Sequence, residues 1–169
     1  NMGFKVVDER TYQIDRNADG KPDVWLHDML LERADGRAID LDALKNGLEA
    51  AFLVVMSGGA ENDGYNALVL ATGMMWRDVA LIRAMSRFLR QIRVPYSQDY
   101  MWTTLVKHAR VATDIVRLFH ARFDPRLAVS MEERQARQAE IAAAIEAALK
   151  EVQSLDEDRI LRGFLTVIK

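Results

Sequence analysis

The sequence of 169 residues contains no cysteine, only three prolines and only three histidines. The absence of cysteine excludes a disulfide framework, thiolate zinc sites and a cysteine nucleophile, and it is compatible with a reducing compartment. The histidines, His27, His108 and His120, are far apart and form no H-x-x-x-H or Ser/His/Asp pattern. We therefore expect each of them to have a structural role.

The chain also lacks a long apolar run and an excess of either charge. No stretch of about 18 apolar residues occurs, and the chain does not open with a basic region followed by an apolar one, so neither a membrane span nor a signal peptide is predicted. The 23 basic and 25 acidic side chains give a formal net charge of -2. This balance gives no sign of nucleic acid or an anionic membrane as a partner. We expect a cytoplasmic protein.

The first part of the chain has a strand pattern. Residues 4–15 and 23–33 are rich in β-branched and aromatic side chains and flank the turn-rich stretch "RNADGKP". Two such runs joined by turn residues are typical of a β-hairpin.

The rest of the chain has a helical pattern. Apolar residues recur at helical spacing behind capping residues such as Asp40, Asn66 and Ser97, and Ser130 with Glu133 forms a capping box. The predicted fold class is mainly α, a helical bundle preceded by a β-hairpin. Helices are expected at 40–57, 67–92 with a break at Gly73, 98–108, 111–122, 130–152 and 154–169, with Leu41, Leu44, Leu48, Phe52 and Val55 on the apolar face of the first.

Both ends of the chain are apolar, with "GFKVV" near the start and a helical "ILRGFLTVIK" at the end. We expect from this a segment of a longer polypeptide. The apolar face of the last helix needs a partner, so it either docks on the bundle at 67–122, which we favour, or pairs with a second copy. That face comprises Ile160, Leu161, Phe164, Leu165 and Ile168.

The hairpin turn is a candidate cation site. Its oxygen ligands follow the spacing D-x-N-x-D-G-x-x-D, which suits a hard cation around a glycine turn. The twelfth position of an EF-hand loop would be Leu26 instead of a bidentate Glu, so no EF-hand is predicted. The alternative is a solvated turn, because Asn, Asp and Gly are ordinary turn residues. The candidate ligands are Asp15, Asn17, Asp19 and Asp23.

Three arginines of the stretch "WRDVALIRAMSRFLRQ" are candidates for a contact surface. Arg83, Arg87 and Arg90 have the spacing i, i+4 and i+7, so they share one helical face that could bind a carboxylate or a phosphate. The alternative is a solvated stripe opposite the apolar stripe of an amphipathic helix.

The preceding stretch, "AENDGYN", raises the question of catalysis. Glu61 and Asp63 could act as paired carboxylates with Tyr65 beside them, but Asp and Asn in a glycine-containing turn usually bond to the local backbone. The chain contains neither G-x-G-x-x-G nor G-x-x-x-x-G-K-[ST], so no nucleotide fingerprint is visible. No catalytic or cofactor-binding residue is predicted.

Several motifs occur in an order that resembles one family: "AENDGYNALVL", "WRDVALIRAMSRFLRQ", "YSQDY", "LFHARFDP" and "SLDEDRILRGFL". With these gaps they resemble the large NAD-specific glutamate dehydrogenases of bacteria, well over residues 48–168 and loosely over the first 35. Ala109 departs from this pattern, because a helix-breaking proline is expected there.

The resemblance implies a position between ACT-like modules and the catalytic domain of such an enzyme. Residues 1–35 would be the closing strands of an ACT-like module, and residues 36–169 a helical bundle segment. The glycine-rich substrate-lysine motif and the dinucleotide-binding domain are absent from the chain. The resemblance therefore implies a noncatalytic segment whose parent uses NAD to deaminate L-glutamate oxidatively to 2-oxoglutarate and ammonia. Its expected partners are the remaining domains of the parent, with a homo-oligomer as a further expectation.

A second interpretation belongs to another functional class. In it the chain is a free-standing binding module whose hairpin loop holds calcium. The two interpretations differ in calcium affinity and in whether the chain needs the rest of an enzyme to act.

Overall fold

The structure is a computed structural model that describes residues 2–16, 20 and 22–168. The chain begins with an antiparallel β-hairpin of β1 (Phe4–Ile14) and β2 (Val24–Arg33). Its register runs from Phe4 opposite Arg33 to Ile14 opposite Val24, and a bulge lies between Val6 and Asp8. The predicted hairpin is confirmed.

Helices joined by turns and loops make up the remainder of the described chain. A 3₁₀ turn (Gly64–Asn66) directly precedes the second helix. None of these helices is long and apolar enough to cross a membrane, as judged over the described residues. The helices are α1 (Leu41–Met56), α2 (Ala67–Thr72), α3 (Trp76–Gln91), α4 (Gln98–Lys107), α5 (Ala109–Phe123), α6 (Met131–Leu149) and α7 (Leu155–Ile168).

Local sequence signals account for most of the helix boundaries. Asp40 caps α1 by accepting a hydrogen bond from Ala43 N at 3.1 Å. The capping box of Ser130 and Glu133 is present at the start of α6. Gly73 adopts a left-handed conformation with φ 75° and ends α2, where a residue without Cβ carries little steric cost. The break predicted at this glycine is confirmed.

The break between α4 and α5 is confined to one residue. His108 has φ -102° and ψ 48°, and Ala109 is already helical. A proline is therefore not needed to interrupt the helix at this point.

The core is built by α2, α3, α4, α5 and α7, with α6 packed along α5. The apolar face predicted for α7 docks on this bundle, as expected, because α7 contacts α3, α4 and α5. Its five predicted core residues are at most 2% exposed. They are Ile160, Leu161, Phe164, Leu165 and Ile168.

Two predictions made from the sequence, one about a helix cap and one about a core residue, differ from the structure. Asn66 occupies the N-cap position of α2 but makes no capping hydrogen bond with its side chain, whose Nδ2 donates to Glu61 O at 2.8 Å instead. Phe52 does not join the core, since it is 52% exposed while its neighbour Ala51 is buried. The division of the chain at residue 35 remains a prediction.

Candidate functional site

A cluster of polar side chains forms where the stretch "AENDGYN" folds back on α3. Asp63 caps the 3₁₀ turn by accepting a hydrogen bond from Tyr65 N at 3.1 Å. Both of its carboxylate oxygens also accept from Arg83, at 2.6 Å from Nε and 2.8 Å from Nη2. One carboxylate thus fixes the turn and ties it to the middle of α3.

Arg83 lies at the centre of this cluster. Its side chain is only 6% exposed, and Nη2 also donates to Asn66 Oδ1 at 2.9 Å. Its Nε lies 3.1 Å from Glu61 Oε2. A buried guanidinium is tolerated when carboxylates and other acceptors satisfy its donors, and Nε and Nη2 of Arg83 have such partners.

A second layer of polar contacts lies beneath the turn. The Tyr65 hydroxyl is hydrogen-bonded to Ser86 Oγ, and Gln98 Nε2 donates to the same oxygen at 3.2 Å. Burial raises the pKa of Tyr65 to about 12. The phenol is therefore protonated at neutral pH and unsuited to act as a general base.

Gly64 allows the turn to pass under an aromatic ring of α4. A Cβ at this position would lie 2.3 Å from Trp102 Cε2, a distance that only a shift of the indole ring could relieve. The ring of Tyr65 packs edge-to-face on the same indole, with centroids 5.6 Å apart. The turn is consequently clamped between α3 and α4.

The structure separates the three arginines proposed as one contact surface. The prediction of a shared exposed face is wrong for Arg83, which is buried because the acidic turn folds over it. Arg87 is 59% exposed and forms an ion pair with Glu61. Arg90 is exposed. The contact role of Arg87 and Arg90 remains a prediction.

The hairpin turn lies partly outside the described residues. Asn17 and Asp19 belong to the part that is not described, whereas Asp23 accepts hydrogen bonds from Gln13 Nε2 at 2.6 Å and from Arg16 N at 3.3 Å. Over residues 2–16, 20 and 22–168, no group of three or more side chains is arranged to hold a metal ion. Cation binding by Asp15, Asn17, Asp19 and Asp23 remains a prediction.

Each histidine lies against a carboxylate. These contacts are His27 Nδ1 to Glu9 at 2.9 Å, His108 Nε2 to Glu157 at 2.8 Å and His120 Nε2 to Asp78 at 2.8 Å. Only the first pair lies within one local element, the hairpin. The other two join residues that are distant in sequence, so spacing alone could not have revealed them.

The contact at Glu157 connects the α4–α5 break to α7. Its carboxylate accepts from His108 and, at 2.7 Å, from Lys107 Nζ. These two donors, His108 foremost, lower the pKa of Glu157 below its ordinary value. The only sequence signal was the capping residue Ser154, whose hydroxyl accepts from Glu157 N at 3.4 Å.

Comparison with known proteins matches both parts of this architecture. Residues 1–44 match the family model described as glutamate dehydrogenase, ACT3 domain, and residues 60–125 match the model described as glutamate dehydrogenase, helical motif 3. The chain matches a segment of the NAD-specific glutamate dehydrogenases.

Three curated relatives carry the name NAD-specific glutamate dehydrogenase. The protein from Pseudomonas aeruginosa is 41% identical over 169 residues, that from Halomonas elongata 36% over 169 residues, and that from Mycobacterium tuberculosis 33% over 174 residues. Each match covers 100% of this chain but only 10% of the relative. In this glutamate dehydrogenase segment, the Arg83 cluster lies within helical motif 3 and the hairpin within ACT3.

Proposed function

We propose that this chain is a noncatalytic regulatory or structural segment of an NAD-dependent glutamate dehydrogenase. The parent would deaminate L-glutamate oxidatively to 2-oxoglutarate and ammonia in the cytoplasm, with NAD as its cofactor. The observation that carries the proposal is similarity along the whole chain to relatives of which it spans 10%, together with matches to ACT3 and helical motif 3.

The geometry of the polar cluster supports a structural role for it. Asp63 is committed to capping the turn and pairing with Arg83, and the phenol of Tyr65 is held by Ser86. A general base needs a free lone pair near a substrate proton. Because these groups already bond to one another, the cluster is suited to fixing a loop on α3.

An activity assay tests the noncatalytic part of the proposal. The purified chain is incubated with glutamate and NAD, and NADH formation is followed by absorbance. We expect no turnover above the buffer control. Turnover that scales with the amount of chain and is lost in Asp63→Asn would contradict the proposal, whereas turnover unaffected by this substitution would point to a contaminating enzyme.

We further propose that Arg87 and Arg90 face other domains of the parent enzyme. Both are exposed on α3, and exposed charges contribute little to folding. Arg87→Gln with Arg90→Gln should leave the melting temperature of this chain nearly unchanged but alter assembly or effector response in the full-length enzyme. The matched control is Arg110→Gln on α5, also exposed.

Light scattering on the same full-length variants measures assembly. If the double variant has the mass and the effector response of the wild type, the two arginines form only a solvated face and the proposed contact is contradicted. A change in mass that Arg110→Gln does not reproduce would support a contact between domains or between copies. Light scattering on the isolated chain then tests separately whether this segment forms a homo-oligomer.

A further inference from the structure

One guanidinium joins the base of the hairpin to the helical core. Arg33, the last residue of β2, donates from Nη1 to Leu70 O in α2 at 3.2 Å. Its Nε and Nη2 donate to the two carboxylate oxygens of Asp35 at 2.8 and 2.7 Å. The Arg33 side chain is only 9% exposed. A strand end, the following loop and a core helix are therefore linked through one side chain.

The backbone of the hairpin lies directly on the same helix. Ala34 N donates to Gly3 O at 2.8 Å, which closes the base of the hairpin. Gly3 has φ 84°, and a Cβ there would lie 3.3 Å from Ala67 Cβ and 3.4 Å from Leu70 Cδ2. The arginine contact is thus backed by close packing on α2.

The helix that receives these contacts lies inside the bundle. Leu68, Val69 and Leu70 of α2 are all at most 4% exposed. The helix ends at Gly73, where Gly73 N donates to Val69 O. Because protein interiors are close-packed and transmit strain, a shift of α2 must be accommodated by the helices around it.

We propose that Arg33 is a positioning residue that makes the hairpin and α2 move as one unit, so that a displacement of the hairpin is transmitted into the helical core. The proposal rests on the proposed function, because it takes the neighbouring parts of the enzyme as the source of the displacement. The link itself is a property of this chain and can be measured without catalysis.

The chain offers a matched control for this role. Arg37 also pairs with Asp35, its Nε lying 2.8 Å from Oδ2, but its side chain is 63% exposed. Its hydrogen bonds in the described structure go to Asp35 and not to a helix. Substitution of Arg37 therefore removes a cation that pairs with Asp35, but it leaves the hydrogen bond from Arg33 to Leu70 O in place.

Pulsed electron paramagnetic resonance on the purified chain tests the link. The sequence has no cysteine, so Arg10→Cys in β1 and Arg110→Cys in α5 can carry the only two spin labels. In this background, Arg33→Gln should broaden the distribution of label-to-label distances at least twofold, and Arg37→Gln should leave it unchanged. A distribution in Arg33→Gln as narrow as in the unsubstituted background would overturn the proposal.

A second variant separates positioning from simple stabilisation. Arg33→Lys keeps the charge, but one ammonium lacks the planar fork that reaches Asp35 and Leu70 O together. We expect a broadened distribution with unchanged far-ultraviolet helicity. Loss of helicity in both Arg33→Lys and Arg33→Gln would overturn the positioning role and leave Arg33 as a stabilising residue only.

The full-length enzyme then tests transmission itself. Arg33→Gln should shift the effector concentration at half response by threefold or more, with basal turnover unchanged and Arg37→Gln like wild type. An unchanged effector response despite broadened distances would refute transmission. Failure of the proposed function is distinguishable from this outcome, because there the full-length protein would not oxidise glutamate with NAD at all.

Discussion

In the hairpin, Trp25 and Leu30 leave 56% and 61% of their surface exposed, whereas in α7 Leu161 and Phe164 are fully buried. Both regions are rich in apolar residues, and both adopt the secondary structure that their sequence patterns predict. They differ in what surrounds them. The helices of the bundle pack on one another, while most of the length of the hairpin extends away from the bundle with both faces open.

The physical reason lies in the geometry of the two elements. A two-stranded sheet buries little apolar surface when no other element covers its faces, so an isolated hairpin is only marginally stable. Local pairs such as Lys5 with Glu32, 3.2 Å apart, link the two strands, but exposed pairs of this kind contribute little to stability. We therefore expect the helical region to carry most of the measured stability of the chain.

Substitutions of apolar residues should give the largest difference in stability between the two regions. Phe164→Ala in α7 should lower the free energy of unfolding by about 3 to 5 kcal/mol, because transfer and cavity terms add. Leu26→Ala in the hairpin, where the side chain is 53% exposed, should cost about 0.5 kcal/mol or less. Urea unfolding followed by circular dichroism measures both. Equal costs would show that the hairpin contributes to the same cooperative unit.

The Arg83 cluster should contribute the next largest effect. Arg83→Gln leaves Asp63 partly buried without its cation, and we expect the free energy of unfolding to fall by about 2 to 3 kcal/mol. The loss should be smaller than for a fully buried ion pair, because the Asp63 side chain is 23% exposed. Arg87→Gln, on the exposed face of the same helix, should cost below about 1 kcal/mol. Similar melting temperatures for the two variants would contradict the internal role of Arg83.

The contacts of Glu157 predict a pH dependence. Because its pKa is lowered in the folded state, its contribution is present above the ordinary glutamate pKa of about 4.3 and is lost as pH falls through the folded-state value. Glu157→Gln should cost about 1 to 2 kcal/mol at neutral pH, and the difference from wild type should shrink below about pH 4. Thermal melts across this range measure it.

The hairpin provides the control for the Glu157 experiment. Glu9 forms the equivalent contact with His27, but the two side chains are 42% and 47% exposed. Glu9→Gln should therefore change stability by about 0.5 kcal/mol or less at any pH in this range. A pH-independent cost for Glu157→Gln would assign its effect to packing instead of charge.

A substitution of Thr104 should act in the opposite direction. Its hydroxyl oxygen is the one buried side-chain polar atom without a hydrogen-bond partner over the described residues. Thr104→Val removes the unsatisfied group at nearly constant volume and should raise stability by about 1 kcal/mol. Thr103→Val, at an exposed position, serves as the control. A loss of stability in Thr104→Val would indicate a partner for the hydroxyl.

Calcium should have the smallest effect of all. The hairpin loop has no bidentate carboxylate at the closing position, so we expect no tight binding at about millimolar free ion or below. Titration calorimetry of the purified chain measures this directly. A micromolar isotherm that Asp19→Ala abolishes would promote the calcium-binding module over the enzyme-segment proposal.

Sequence patterns predicted much of the fold because they act over short distances. The capping box at Ser130 and the glycine break at Gly73 involve neighbouring residues, and the structure confirms both. The same reasoning failed at Phe52, which has the helical spacing of a core residue but lies on the open side of α1. The helical spacing of apolar residues identifies one face of a helix, but it does not determine whether another element covers that face.

The candidate site was harder to predict. Asp63 was correctly expected to bond to its own turn, yet the same carboxylate also holds Arg83, twenty residues later in the chain. Spacing alone placed Arg83 with Arg87 and Arg90 on an exposed stripe. Nothing in the helical period distinguishes the arginine that the acidic turn covers from the two that it leaves exposed.

The sequence by itself determined the hairpin, most of the helix boundaries, the apolar face of α7 and the family resemblance, because these depend on local patterns or on motifs in a fixed order. Only the tertiary structure decided that Arg83 is internal, that Glu157 meets His108 and that Arg33 reaches Leu70. Each of these contacts joins residues at least twenty positions apart. Ion pairs and hydrogen bonds need atoms within about 4 Å, and only packing of the elements brings such residues together.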